Sequence, residues 1–88
     1  IRRLLPDGTR GIAANVTITD TTSSRGFVAL TPGDAADYSA SSLNWTAVGA
    51  TIANGLILTT DALMRLKAFV RGGNTHLLID ITGYFASV

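Results

Sequence analysis

The segment at residues 75–85, THLLIDITGYF, constrains this chain more than any other. After Thr75 its odd positions are Leu77, Ile79, Ile81 and Phe85, with Gly83 the one gap. Its even positions are His76, Leu78, Asp80, Thr82 and Tyr84. A period of two belongs to a β-strand that buries one row of side chains and leaves the other in water or in a shallow groove.

The segment before it repeats the pattern. Met64, Leu66, Ala68 and Val70 form an apolar row; Arg65, Lys67, Phe69 and Arg71 form the other. Gly72-Gly73-Asn74 between the two predicts a hairpin. A turn at Gly72-Gly73 keeps both apolar rows on one face and sets Arg65 opposite Asp80 and Phe69 opposite His76. A turn at Gly73-Asn74 sets Lys67 against Asp80 instead. In either register Asp80 meets a cation. The expectation is therefore a structural ion pair, Asp80 with Arg65 in the first register, contributing about 0.2–1 kcal/mol.

Residues 1–10 read as an N-terminal arm or edge strand carrying solvated Arg2 and Arg3, with a turn at Pro6-Asp7-Gly8. From Gly11, Ile12, Ala14, Val16 and Ile18 alternate with Ala13, Asn15, Thr17 and Thr19, predicting a strand with a buried face. A turn-forming loop at 20–26 precedes a strand at 27–31 that Pro32-Gly33 stops. A polar loop containing Tyr38 follows, then strands at 43–48 and 51–59. The latter is apolar on both rows apart from Asn54 and its threonines, so cover on both faces is expected, inside a sandwich or against another chain. Asp61-Ala62-Leu63 supplies one turn at most. Six or seven short strands with Gly-, Pro- and Ser-rich turns predict one all-β domain over residues 1–88. The expected form is an antiparallel β-sandwich, jelly-roll or Ig-like, without substantial helix.

An 88-residue chain of this kind buries only about 60–65% of its unfolded surface, and without cysteine no disulfide supports it. Seven basic against six acidic residues give no field to draw in nucleic acid or an anionic membrane. No apolar run is long enough to span a bilayer. The expectations are no nucleic-acid partner and no membrane insertion, with any export signal lying outside these residues.

His76, the only histidine, has no acid at triad-like spacing, so no catalytic residues and no enzymatic activity are expected. Asp20, Asp34, Asp37 and Asp61 are single loop carboxylates outside EF-hand spacing, which argues against a metal. Gly72-Gly73 precedes no helix, so no phosphate cradle and no cofactor are expected. Phe69 among Arg65, Lys67 and Arg71 imitates a single-strand nucleic-acid platform, but Asp80 and the near-zero net charge weigh against that use. These four residues stand as candidate ligand or interface positions. Trp45, Tyr38 and Tyr84 join them as candidates for sugar stacking, where a ring takes the C–H face of a sugar and amides take its hydroxyls. Leu43 and Ala47 share the row of Trp45, which makes a core position equally compatible. The sequons Asn15-Val16-Thr17 and Asn44-Trp45-Thr46 fall within predicted strands and read as strand residues rather than glycan acceptors.

Three blocks in order carry a resemblance. They are Asn15-Val16-Thr17-Ile18-Thr19 with Gly26-Phe27 and Pro32-Gly33; Ser42-Leu43-Asn44-Trp45 with Thr51-Ile52-Ala53-Asn54; and His76 through Phe85. Together, over residues 11–85, they resemble an uncharacterised β-sandwich module with patterns such as LNVTVT, SNLNY, ANxVVV and VVDVxGYF. That module occurs in secreted and surface proteins of actinobacteria and Chloroflexi and in some phage structural proteins. Its members begin with a further strand region resembling RLLDTR, which residues 1–10 do not reproduce in full. An open sheet edge, ready to pair with another subunit, would follow. The family offers no catalytic residues to carry over. The resemblance implies an accessory or structural module, secreted or at the cell surface.

These readings converge on a non-catalytic extracellular module for structure or adhesion, one that self-associates as a homo-oligomer or polymer or binds surface polysaccharide. The alternative is a trimeric, receptor-binding fibre-tip or decoration domain of a phage virion.

Overall fold

The computed structural model describes residues 5–38 and 41–86; residues 1–4 of the expected arm, with Arg2 and Arg3, lie outside them, and Thr9 and Arg10 belong to the first strand. The turn at Pro6-Asp7-Gly8 is present: Gly8 takes φ +85°, and the Thr9 amide and hydroxyl both donate to the Pro6 carbonyl, at 3.3 and 2.7 Å. Six strands follow: β1 (Thr9–Thr19), β2 (Gly26–Pro32), β3 (Leu43–Trp45), β4 (Ile52–Thr59), β5 (Leu66–Arg71) and β6 (His76–Ala86). They form two antiparallel three-stranded sheets, in the orders β4-β1-β6 and β3-β2-β5. The fold is all-β, a small β-sandwich, and the 61–65 segment closes as a turn through the Met64 amide on the Asp61 carbonyl.

Alternation along β1 explains its central place. Ile12, Ala14, Val16 and Ile18 are buried and form the core with Val28, Leu43, Trp45 and Leu58. Each of the larger aliphatic side chains contributes roughly 1.5–3 kcal/mol by leaving water. β1 is long enough to pair on both edges, with Ile12 between Leu58 and Tyr84 and Ile18 between Ile52 and Leu77.

Three expectations are corrected here. β5 and β6 do not form a hairpin: β5 pairs with β2, and β6 pairs with β1. Gly72 takes φ +87°, and a Cβ there would lie 2.7 Å from the Arg25 carbonyl oxygen, so this glycine permits a close crossing of two loops. Ser23 Oγ donates to the Gly72 carbonyl at 2.7 Å, and the Asn74 amide donates to Thr22 Oγ1 at 2.8 Å. The chain thus changes sheets at Gly72-Gly73-Asn74, where β1 offers β6 a matching apolar row over nearly its whole length. Second, β4 is not covered on both faces. It is an edge strand, and Ile57 is 70% exposed on its outer row. Third, Phe85 leaves the apolar row. Ala13 pairs with Gly83 and Ala14 with Ile81, so Thr82 is an extra residue in a bulge. Beyond it Tyr84 shares the inner row with Ile12, while Phe85 turns outward above Gly11, whose added Cβ would meet its ring at 3.8 Å.

Candidate functional site

With the hairpin gone, the predicted pair goes too. Asp80 lies opposite Asn15 on the outer face of its sheet. Arg65 Nε instead donates to Asp61 Oδ2 at 2.8 Å. Asp61 also accepts from the Arg65 and Leu63 amides through Oδ1, at 2.8 and 2.9 Å. Burial alone would raise the Asp61 carboxyl, but the Arg65 amide and guanidinium with the Leu63 amide outweigh it and hold the group below its ordinary 3.8. The sequence offered a signal for this pairing, an Asp and an Arg four residues apart around a turn. A longer-range cation partner for Asp80 masked it.

Trp45 does not offer a binding surface. It is 1% exposed; its indole Nε1 donates to the Thr22 carbonyl at 3.1 Å and its ring fills the space a side chain at Gly26 would occupy. Tyr84 is half exposed near the end of β6, on the sheet opposite the one that the Tyr38 loop folds over. Asn15 and Asn44 sit within β1 and β3.

The structure does gather Tyr38, Phe69, Lys67 and Arg71, and adds Phe27, which the sequence did not single out. In β2 and β5, Val28 and Val70 face the interior as a pair, so Phe27, Ala29 and Thr31 and their partners Arg71, Phe69 and Lys67 face outward. The loop after β2 folds back over this row. The Gly33 amide donates to the Arg65 carbonyl at 2.9 Å, the Ala35 amide to the Pro32 carbonyl at 3.1 Å and Lys67 Nζ to the Ala35 carbonyl at 2.7 Å. This sets the Tyr38 ring 5.4 Å from Phe27 and 5.3 Å from Phe69, at 66° and 51°. Ala29 is fully buried in their midst. The Arg71 guanidinium lies 5.8 Å from the Tyr38 ring and 5.7 Å from the Phe69 ring, with Lys67 Nζ 5.7 Å from Phe69. Each such contact is worth about 0.5–1 kcal/mol at an exposed site. The signal in the sequence was an aromatic on the polar row of each strand, Phe27 and Phe69.

A second surface is the edge of β6 away from β1, which pairs with no other strand among the described residues. The other sheet lies against β4 through β2 and β3, so β6 overhangs the core. Leu77 and Ile81 are only partly buried, Ile79 is 37% exposed, and Leu78, Tyr84 and Phe85 are half exposed. An open groove of about 390 Å³ runs beside Leu5, Ile79, Asp80 and Ile81. At the start of the strand, His76 Nε2 lies 3.9 Å from Asp20 Oδ2, both well exposed. Such a surface pair contributes little.

Among the described residues, no group of three His, Cys, Asp or Glu side chains is placed to hold a metal ion, and no helix is long and apolar enough to cross a membrane. Compared with protein-family models, curated proteins and solved structures, the chain gives no match.

Proposed function

We propose that this chain is a non-catalytic extracellular module that works by surface contact, associating with copies of itself and attaching to polysaccharide. The observation that carries the reading is the overhanging β6, eleven residues long, with one edge unpaired among the described residues and apolar side chains in water on both faces. A free edge of that length is a template for another strand. The strand is also complementary to itself. Paired antiparallel about Leu78, it sets His76 opposite Asp80 of the second copy, Leu77 opposite Ile79, and Leu78 against its own equivalent. A symmetric contact of this kind repeats one patch on both subunits. The extracellular setting rests on the sequence resemblance.

Light scattering across a concentration series tests this. The expected mass rises from 9.2 kDa to that of a dimer or higher assembly, and Leu78→Lys, which puts two like charges face to face on an exposed position, returns it to monomer. A parent chain that stays at 9.2 kDa when concentrated would refute self-association.

A further inference from the structure

We propose that Tyr38, Phe69 and Phe27, with Arg71 and Lys67, form a binding site for an acidic sugar, a uronate-bearing stretch of polysaccharide. This deepens the polysaccharide part of the reading above and does not depend on β6.

β2, the 33–38 loop that follows it and the distant β5 each contribute a half-buried ring to the outer face of this sheet, away from the main core. Their tilts of 66° and 51° make a stepped cup rather than a flat stack. A cup of that shape suits the ridged C–H face of a pyranose better than a planar base. The two cations lie over its rings, Arg71 over Tyr38 and Phe69 and Lys67 over Phe69. Among the described residues neither Lys67 nor Arg71 has a carboxylate within salt-bridge distance. Lys67 Nζ donates to one carbonyl, that of Ala35, and Arg71 Nη1 to one, that of Val70 at 3.0 Å. Further hydrogens on both groups are therefore free to meet a ligand. The planar guanidinium matches a carboxylate with two parallel hydrogen bonds, which selects a carboxylated sugar over a neutral one. Asp34 and Asp37, in the same loop, can accept sugar hydroxyls. A net charge of +1 gives a nucleic-acid strand no basic track to follow.

The test is calorimetric titration of the 88-residue protein with three probes: a tetragalacturonate, the same oligomer with its carboxylates reduced to alcohols, and oligo-dT. Binding is expected for the tetragalacturonate, weakening as salt rises. Arg71→Lys, which keeps the charge and loses the fork, should cost about tenfold or more in affinity, and Tyr38→Ala a comparable factor. The melting temperature and Trp45 emission of Arg71→Lys should match the parent. Should Tyr38→Ala loosen its loop and lower the melting temperature, Arg71→Lys decides alone. Retained binding by Leu78→Lys would separate this site from self-association. Equal affinity for the reduced oligomer, tighter binding of oligo-dT, no binding of tetragalacturonate, or undiminished affinity in Arg71→Lys would each overturn the assignment.

Discussion

Replacing Gly26 by alanine adds one methyl group directly against the buried Trp45 ring. A Cβ built there lies 2.1 Å from Trp45 Cζ2, 2.5 Å from Cη2 and 2.6 Å from Cε2. Those atoms belong to a rigid ring held by its bond to the Thr22 carbonyl, so relief requires moving the backbone of β2 or expelling the indole. Overpacking costs about 1–3 kcal/mol, and a contact this close to a rigid ring belongs at the upper end. Loss of the indole hydrogen bond adds about 1 kcal/mol, giving roughly 3–4 kcal/mol in all. With an unfolding entropy of about 2.1 cal/mol/K per residue, 88 residues give roughly 0.18 kcal/mol/K. The melting temperature should therefore fall by about 16–22 °C. Thermal melts followed by circular dichroism and by emission of Trp45, the one tryptophan, measure it directly. Gly55→Ala is the matched control. Nothing lies within 4 Å of its added Cβ, so the same change there should be neutral or stabilise by up to about 1 kcal/mol. If Gly26→Ala melts within about 5 °C of the parent with unshifted emission, the packing argument is wrong.

Two further outcomes follow from the turn at residues 61–65 and from the pairing of β6. Because the Asp61 carboxyl is held below 3.8 in the folded chain, its contribution is fully present above that pH and is lost as the pH falls through the lowered folded value. Urea midpoints measured from pH 7 to pH 2 should drop on the acid side, and Asp61→Asn should be less stable at pH 7 with a shallower acid decline; parallel curves for the two proteins would refute this. Asp80→Ala removes an exposed carboxylate opposite Asn15 and should change stability by no more than about 0.5 kcal/mol, whereas Arg65→Ala, which strips the ion-pair partner from buried Asp61, should cost clearly more. Equal losses in urea denaturation would restore a role for Asp80 in an ion pair.

The strands were legible because each is a local pattern. Alternation in β1 and in β6 as far as Ile81, the end of β2 at Pro32-Gly33 and Gly8 before β1 are read from neighbouring residues, and these stand where the sequence puts them. Of the candidate site residues, Lys67, Phe69 and Arg71 shared a row in the sequence and share it in the fold, since a strand carries its two rows wherever it goes. What local pattern could not supply was partnership. Two Gly-linked alternating segments satisfy a hairpin as well as a crossing between sheets, and only the whole fold decides: β6 pairs with β1, whose Ile12, Ala14, Val16 and Ile18 are buried, and β5 pairs with β2. That choice moved Arg65 to Asp61 and left Asp80 beside Asn15. The bulge at Thr82 turned Phe85 outward, and the fold-back of the loop after β2 set Tyr38 between Phe27 and Phe69. Secondary structure here follows from residues one or two apart. Sheet order, the burial of Trp45 and the aromatic cup depend on contacts across dozens of residues, whose free energies compete only once the whole chain has closed.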